Sequence, residues 1–485
     1  MSPSSRTFSR RHLGGAFGAG AAAGAAVVAG LPGPERPEAA AAPAERPFQA
    51  APGRRSPRPN LLFVLVDDLG WADLSCYGAP HLATPHLDRL AAQGVRFTDG
   101  YAGAPTCSPT RLSLYTGRYP GRVEAGLAEP IQAGDPGLDP AHPTLATALR
   151  DAGYTTAMIG KWHCGALPEH SPLRSGWDEF FGSYGGALEP YSKIDEDGRH
   201  DLYDGEEPHQ DSRYYPRIIA ERGAEFIERD HRAPWLLNLN FTTPHWPWIA
   251  EGDEEEAARV AQRVRALPPE RKKLALAHTD GGSLDTYRRM VEGLDSALGD
   301  VLAALDRSGQ AEDTLVVFTG DNGSERFSHT WPLDGHKSSL QEGGIRVPTI
   351  ARWPARLDGG QFSAAPVITP DWTATALEVA GARPDPTAPL DGASLAGYLL
   401  RGEEPPARDL FWRQRGERAL RRGKWKYHRA ENAKIPVNHG RDVLFDLERD
   451  PGECADLATR EPEVLAGLRA AWEAVDAGLL PYPPR

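Results

Sequence analysis

Short apolar runs along the chain alternate with segments whose apolar positions recur every three to four residues. Residues 61–66, 155–159, 235–241 and 314–319 are runs of the length expected for buried strands. Between the last two, Met290, Leu294, Leu298, Val301, Leu302 and Leu305 fall on one helical face, and Gly309 is placed to end that helix. Strands alternating with helices predict an α/β fold, a large mixed and mostly parallel sheet sandwiched by helices. The charged stretch 251–273 reads as a solvated insertion. After helix-like residues 372–380, a Pro-rich segment over 384–406 marks a boundary. Beyond it, 424–428 and 443–447 read as short strands and 464–475 as a helix. This predicts a smaller C-terminal α+β domain, a short antiparallel sheet plus a helix, over 386–485, following a larger domain over 60–385.

The first 59 residues follow another pattern. Ser9-Arg10-Arg11-His12-Leu13 precedes a weakly apolar Gly/Ala stretch to Leu31, then a Pro-rich segment containing Ala42-Pro43-Ala44. Twin arginines in this setting predict a twin-arginine export signal over 1–44, cleaved after Ala44, and a linker over 45–59. The competing reading is a membrane anchor of about 20 residues. It ranks second because Gly and Ala make the stretch only weakly hydrophobic. No other segment predicts a span. The mature chain is therefore expected in the periplasm, at the cell surface or outside the cell, with the export machinery as a transient partner.

Composition narrows the partners. Of 485 residues, 54 are basic and 67 acidic, a formal charge of −13 that argues against general affinity for nucleic acid or anionic membrane. A polyanionic substrate would need a local basic site. Four cysteines in so long a chain do not make a disulfide framework.

Ligands of open α/β sheets bind beyond the carboxyl ends of the strands. The four runs end in Asp67-Asp68, Gly160-Lys161-Trp162-His163, Pro244-His245 and Asp321-Asn322. Two ionised carboxylates about 4 Å apart repel by roughly 4 kcal/mol at an effective dielectric near 20, so Asp67 and Asp68 held together favour a cation. Asp-Asp alone is an ordinary helix cap or turn. Asp321 and Asn322 at a second strand end tip the balance, and an all-oxygen donor set suits Ca²⁺ or Mg²⁺ better than Zn²⁺. Cys107-Ser108-Pro109-Thr110-Arg111 opens a predicted helix, with Pro109 in its first turn, an anion-favouring position that Arg111 shares one turn on. On residue type alone Cys107 is a thiolate nucleophile, a metal ligand or a buried apolar group.

Cys107-x-Pro109-x-Arg111 resembles the sulfatase signature, in which the cysteine becomes formylglycine. The resemblance extends through Asp67-Asp68-Leu69-Gly70, Thr84-Pro85-His86-Leu87-Asp88, Thr116-Gly117-Arg118-Tyr119, Gly160-Lys161-Trp162-His163, Asp321-Asn322-Gly323 and Glu342-Gly343-Gly344-Ile345-Arg346-Val347-Pro348. In the C-terminal part Leu444-Phe445-Asp446-Leu447 and Asp450-Pro451-Gly452-Glu453 also match. It implies a sulfuric ester hydrolase with Ca²⁺, or Mg²⁺ as second candidate, held by Asp67, Asp68, Asp321, Asn322 and the modified residue 107. It also implies that Arg111 and Lys161 stabilise the formylglycine hydrate and that Lys337 and His245 engage the sulfate and the leaving oxygen. His163 then assists regeneration of the aldehyde, and Ser183 matches a position near the hydrate. One hydroxyl of the hydrate attacks sulfur and the other expels sulfate, which a serine could not do. A formylglycine-generating enzyme follows as a transient partner, acting before folding, and Cys76, Cys164 and Cys454 are expected to form no essential disulfide.

Two positions depart from the family pattern. Asp334 stands in Leu333-Asp334-Gly335-His336 where relatives often carry Arg, and Cys164 stands where an aliphatic residue is more usual. Cys164 is read as a packed thiol. The expected substrate is a sulfated small molecule or glycan. Trp246 and Trp248 are read equally as sugar-stacking or core aromatics. Tyr184, Tyr191 and the acidic stretch 195–211 are candidates for the entrance. The alternatives are a phosphate or phosphonate ester hydrolase on the same scaffold and a non-catalytic binder of sulfated glycans. The binder would use Arg418, Arg421, Arg422, Lys424 and Lys426, which otherwise read as a solvated strand face.

Overall fold

Along the strand Asn60–Asp67 successive side chains enter different cores. Leu61, Phe63 and Leu65 pack in one apolar cluster, and Leu62, Val64 and Val66 in another. A strand apolar on both faces belongs in the middle of a covered sheet, and this one lies there in the computed structural model, which describes residues 58–132, 134–431 and 440–483. The predicted export signal and all but the last two linker positions lie outside the described residues. No helix among the described residues is long and apolar enough to cross a membrane.

The ten-stranded sheet runs in the order Gln361–Ser363, Val95–Phe97, Thr349–Arg352, Thr314–Gly320, Asn60–Asp67, Trp235–Pro244, Thr155–Lys161, Glu179–Ser183, Tyr203–Asp204, Glu207–Pro208. Its central five strands, from Thr314–Gly320 to Glu179–Ser183, are mutually parallel. Thr349–Arg352 is antiparallel to both its neighbours. One face is covered by Pro85–Ala92, Tyr215–Glu228 and Leu284–Arg307, and the other by Cys107–Thr116, Leu145–Asp151 and Thr369–Ala380. The apolar face foreseen at 290–305 is present, with Leu294, Leu298, Val301 and Leu305 fully buried, and Gly309 takes a left-handed φ of 71° just beyond the helix.

A separate antiparallel sheet, Asp409–Gln414, Glu417–Arg422, Trp425–Ala430 and Val443–Asp446, carries the helix Pro462–Asp476 on one face. Phe411, Leu420, Tyr427 and Leu444 meet Leu468 and Trp472 there. Its other face packs Leu410, Trp412 and Ala419 against Tyr101, Leu340, Ile345 and Ile368. The mixed sheet between helices and the small α+β unit are the fold class expected from the sequence.

Two expectations are corrected. The stretch 251–273 is not simply solvated. It forms Glu254–Ala266 and Pro269–Leu276, and Ala257, Val260, Ala261 and Val264 bury one face against Ala187, Ile194 and Ile249. The basic cluster of the small sheet is not one solvated face either. Arg421 and Lys426 are buried and paired with Asp99, Glu342 and Glu453, leaving Arg422 exposed and Arg418 and Lys424 half-buried. A glycan binder using that cluster therefore loses two of its five basic groups.

Candidate active site

The five parallel strands end together, and four of them contribute to one cluster. Asp67 closes the first strand, and Asp68 follows at a left-handed φ of 64°. Lys161 closes its strand with Nζ 2.5 Å from Asp67 Oδ2, and both side chains are fully buried. Asp321 accepts from Arg111 Nε at 3.0 Å and Nη2 at 2.7 Å, while Arg111 Nη1 donates to the Lys161 carbonyl at 3.0 Å. This two-armed arginine locks two strand ends to the helix that Cys107 opens. Asn322 Nδ2 donates to Asp68 Oδ1 at 2.7 Å, and Lys337 Nζ lies 2.7 Å from that same oxygen.

Cys107 is the first residue of Cys107–Thr116, with Pro109 in the first turn and Gly117 ending the helix at a left-handed φ of 67°. Its thiol is 2% exposed. Burial pushes its pKa up to about 11, against the pull of Lys161 and Lys337. Burial thus disfavours the thiolate form of the unmodified cysteine.

Burial opposes charge on all three carboxylates, but the outcomes differ. Lys161, His245 and Arg111 overcome it at Asp67, which is held well below the usual carboxylate range. At Asp68 burial wins over Lys337 and raises the pKa. At Asp321 burial, then the neighbouring Asp67 charge, raise it to about 7. Two buried oxygens, Asp67 Oδ1 and Asn322 Oδ1, have no hydrogen-bond partner. Donor atoms of Asp67, Cys107 and Asp321, and of Asp67, Asp68 and His245, lie within 4.8 Å of one another. Crowded carboxylates with orphaned oxygen donors fit a hard divalent cation.

The histidines are fixed by carbonyls. His245 Nδ1 lies 2.6 Å from the Trp246 carbonyl, which can only accept, so Nδ1 carries the proton and Nε2 faces Asp68 Oδ2 at 3.6 Å. Burial, then Lys337, lower its pKa to about 3. His163 Nε2 likewise donates to the Ile131 carbonyl at 3.1 Å, leaving Nδ1 bare, and burial holds this histidine neutral.

Ser183 lies in register with Lys161, but its hydroxyl meets the Tyr215 phenol at 3.3 Å and makes no hydrogen bond to the cluster. Trp248 is buried against Phe327, whereas Trp246 is half-buried with its ring 4.3 Å from that of His245. Tyr184 belongs to the core. Cys164 is a buried core thiol, as expected. Asp334 is exposed, and its carboxylate accepts from Gln341 Nε2 and the Gly335 amide, so it closes its own turn.

Sequence reasoning passed over Asn240, which donates to the Lys161 carbonyl at 3.1 Å and to the Tyr115 hydroxyl at 3.0 Å. A carboxamide inside an apolar strand run was the available signal. It also passed over Ser108, whose Oγ accepts from the Ile131 amide at 2.7 Å and so fixes the carbonyl that orients His163.

A family model described as Sulfatase matches residues 59–382. The chain belongs to the sulfatase family. This sulfatase is 31% identical over 460 residues to human arylsulfatase A, covering 85% of this chain and 86% of that one. It is 29% identical over 467 residues to N-acetylgalactosamine-6-sulfatase of Sus scrofa, covering 85% and 84%. Among solved structures, Ps i-CgsB in complex with k-i-k-neocarrahexaose superposes with a TM-score of 0.73 at 27% identity, covering 86% of this chain and 92% of that chain. The sulfatase is thus a sulfuric ester hydrolase, and its candidate site lies where five parallel strands end.

Gly160 sets the aim of Lys161. It takes a φ of 110°, and a Cβ there would fall 1.9 Å from the Asn240 carbonyl oxygen. Gly160→Ala should lower unfolding free energy by at least about 1–3 kcal/mol from backbone strain alone and depress turnover with it. An unchanged denaturation midpoint would show that this strand end can yield.

Proposed function

We propose that this sulfatase is an exported, Ca²⁺-dependent hydrolase of a carbohydrate sulfate ester, with aryl sulfates as activated surrogates and residue 107 matured to formylglycine. The observation that carries this reading is the convergence of Asp67, Asp68, Asp321 and Asn322 on buried Cys107, with two orphaned oxygens among them. Ca²⁺, or Mg²⁺ in its place, would be held by those four residues with residue 107 and would supply Lewis-acid stabilisation of charge on the sulfuryl oxygens. Formylglycine, as its hydrate, would supply the nucleophilic hydroxyl and a second hydroxyl for sulfate release.

The chain's own groups do the rest. Lys161 and Lys337 bring two ammonium groups into a water-poor site, where they stabilise negative charge on the sulfuryl group. Arg111 holds Asp321 and the Lys161 backbone in place. His245 presents Nε2 to the site. An anionic ester arriving beside it favours protonation there, and the proton then goes to the departing alkoxide. His163 offers its bare Nδ1 as a proton acceptor. Ser183 pairs with Lys161 through the backbone of the adjacent strand and takes no chemical step.

Carbohydrate is favoured by the half-buried Trp246 ring beside His245, suited to stacking on a sugar, and by relatives whose names carry a sugar sulfate or a bound oligosaccharide. The twin arginines support export. Because Cys107 is buried in the folded chain, the maturation enzyme must meet it beforehand.

Matched aryl sulfate and phosphate esters offered to protein co-expressed with a formylglycine-generating system, with mass spectrometry of the residue-107 peptide, test the reading. Formylglycine and faster sulfate turnover are expected. An unmodified thiol in a competent host, or preferred phosphate turnover, overturns it. Within this scheme His245→Ala should cost about 10²–10⁴ in rate for alkyl sulfates and much less for good aryl leaving groups. Equal losses on both would remove the acid role.

A further inference from the structure

The segment carrying Lys337 has no regular secondary structure, yet its ammonium group must stay beside Asp68. Immediately after it Ser338 takes a left-handed φ of 68°, a strained state for a β-carbon residue that persists only where its surroundings over-determine it. The restraints come from two directions. On the active-site side the Lys337 amide donates to the Ser324 carbonyl and the Ser338 amide to the Pro105 carbonyl, each at 2.8 Å, and Pro105 lies two residues before Cys107. On the other side the partners are side chains of the C-terminal sheet region. Glu417 Oε2 accepts from the Leu340 amide at 2.8 Å, and Glu453 Oε2 accepts from the Glu342 amide at 2.6 Å.

These two carboxylates are themselves fixed. Lys426 Nζ lies 2.9 Å from both Glu342 Oε1 and Glu453 Oε1, a buried acid–base–acid triad. His428 Nε2 lies 3.4 Å from Glu417 Oε2. Glu417, Lys426 and His428 are at most 2% exposed, and Glu453 is 6% exposed. Charged acceptors on backbone amides are among the stronger hydrogen bonds, and removing one leaves a buried N–H unpaired. The sequence segments around Glu342 and Glu453, remote in the chain, are thus two halves of one joint.

We propose that Glu417 and Glu453 are positioning residues for the reaction, through which the small C-terminal sheet clamps residues 340–342 and thereby sets where Lys337 Nζ sits. The proposal rests on the functional reading above for Lys337, and it adds a purpose for the C-terminal unit, whose described residues supply no group to the cluster at the strand ends.

The test uses the full-length matured enzyme and an aryl sulfate. Glu417→Ala should lower kcat/KM by about 10- to 100-fold, and Glu417→Gln, which keeps an oxygen for the Leu340 amide, should stay within about threefold of the parent. In a Lys337→Ala background the same Glu417→Ala change should cost less than about threefold, because contacts that act as a unit are not additive. An equal loss in both backgrounds, or a folded glutamine variant as impaired as the alanine one, overturns the proposal. Amide exchange over residues 337–342 in unmatured protein gives a second reading that needs no turnover. Faster exchange there in Glu417→Ala is expected, and unchanged exchange overturns the clamp. A parent that hydrolyses no sulfate would refute the functional reading alone, and the exchange result would still decide the clamp.

Discussion

Cys107→Ser is expected to abolish repeated turnover, lowering the steady-state rate on an aryl sulfate by on the order of 10⁵-fold or more. The substitution is nearly isosteric at a position 2% exposed at the start of Cys107–Thr116, so the fold should survive it. A serine placed among Lys161, Lys337 and the three carboxylates has a hydroxyl with which to attack sulfur. It has no second oxygen on the same carbon with which to expel sulfate afterwards. In a host whose maturation system acts on cysteine, the variant should therefore release at most one phenolate per chain and then stop, with sulfate retained on the residue-107 peptide. Counting phenolate against protein over a long incubation reads this directly. Sustained turnover by the serine variant would sink the formylglycine mechanism, whatever the sequence resemblance.

Chelation of divalent cations should cost about 10³-fold or more in rate and be reversed by Ca²⁺, in line with the removal of a principal electrostatic stabiliser. The physical reason is visible without the ion. Asp67, Asp68 and Asp321 are at most 1% exposed, and neighbouring carboxylates at such separations repel by several kcal/mol. The folded chain answers by raising Asp321 to about 7. An acid raised on folding binds more protons in the native than in the unfolded state, so its contribution to stability is lost as pH climbs from about 4 to about 7. Asp67, held low, is ionised in both states over most of that window. Bound Ca²⁺ stabilises the ionised form and removes the loss. The gain in melting temperature on adding Ca²⁺ should therefore be larger at pH 8 than at pH 5. At a hundredfold excess over Kd the stabilisation is roughly 2.7 kcal/mol. Comparing loaded with chelated protein at each pH separates this site from titrations elsewhere, and Asp68→Ala should erase the gain. A calcium effect independent of pH, or one that survives Asp68→Ala, would place the ion elsewhere.

The central strands could be read from the chain because a strand buried on both faces is a plain apolar run, and because open sheets put chemistry at strand ends. Asp67, Lys161, His245 and Asp321 all lie within a residue of a strand end. Lys337 is different. It sits on an irregular loop, nothing in local periodicity marks it, and only the resemblance singled it out. The helix Glu254–Ala266 was hidden by charge density, although Ala257, Val260, Ala261 and Val264 keep the i, i+3, i+4, i+7 spacing of a buried face. Arg421 and Lys426 were misjudged for a deeper reason. Alternation in a strand says which side a residue faces, but burial of a charge depends on partners such as Asp99, Glu342 and Glu453 that are remote in sequence. The short strand Thr349–Arg352, antiparallel to both neighbours, has too few residues to show a period.

The hydrogen bonds that close the site join residues far apart along the chain. Arg111 to Asp321 spans 210 residues, Asp68 to Asn322 spans 254 and Asp68 to Lys337 spans 269. Contacts of such separation are slow to form, and the pocket around residue 107 closes only when strands as remote as Asn60–Asp67 and Thr314–Gly320 have paired beneath it. Under the proposed maturation that delay is a working interval, during which the segment around Cys107 is still an accessible peptide. Folding speed and maturation are then in competition. A substitution that hastens closure would lower the fraction of active molecules while leaving each active molecule unchanged.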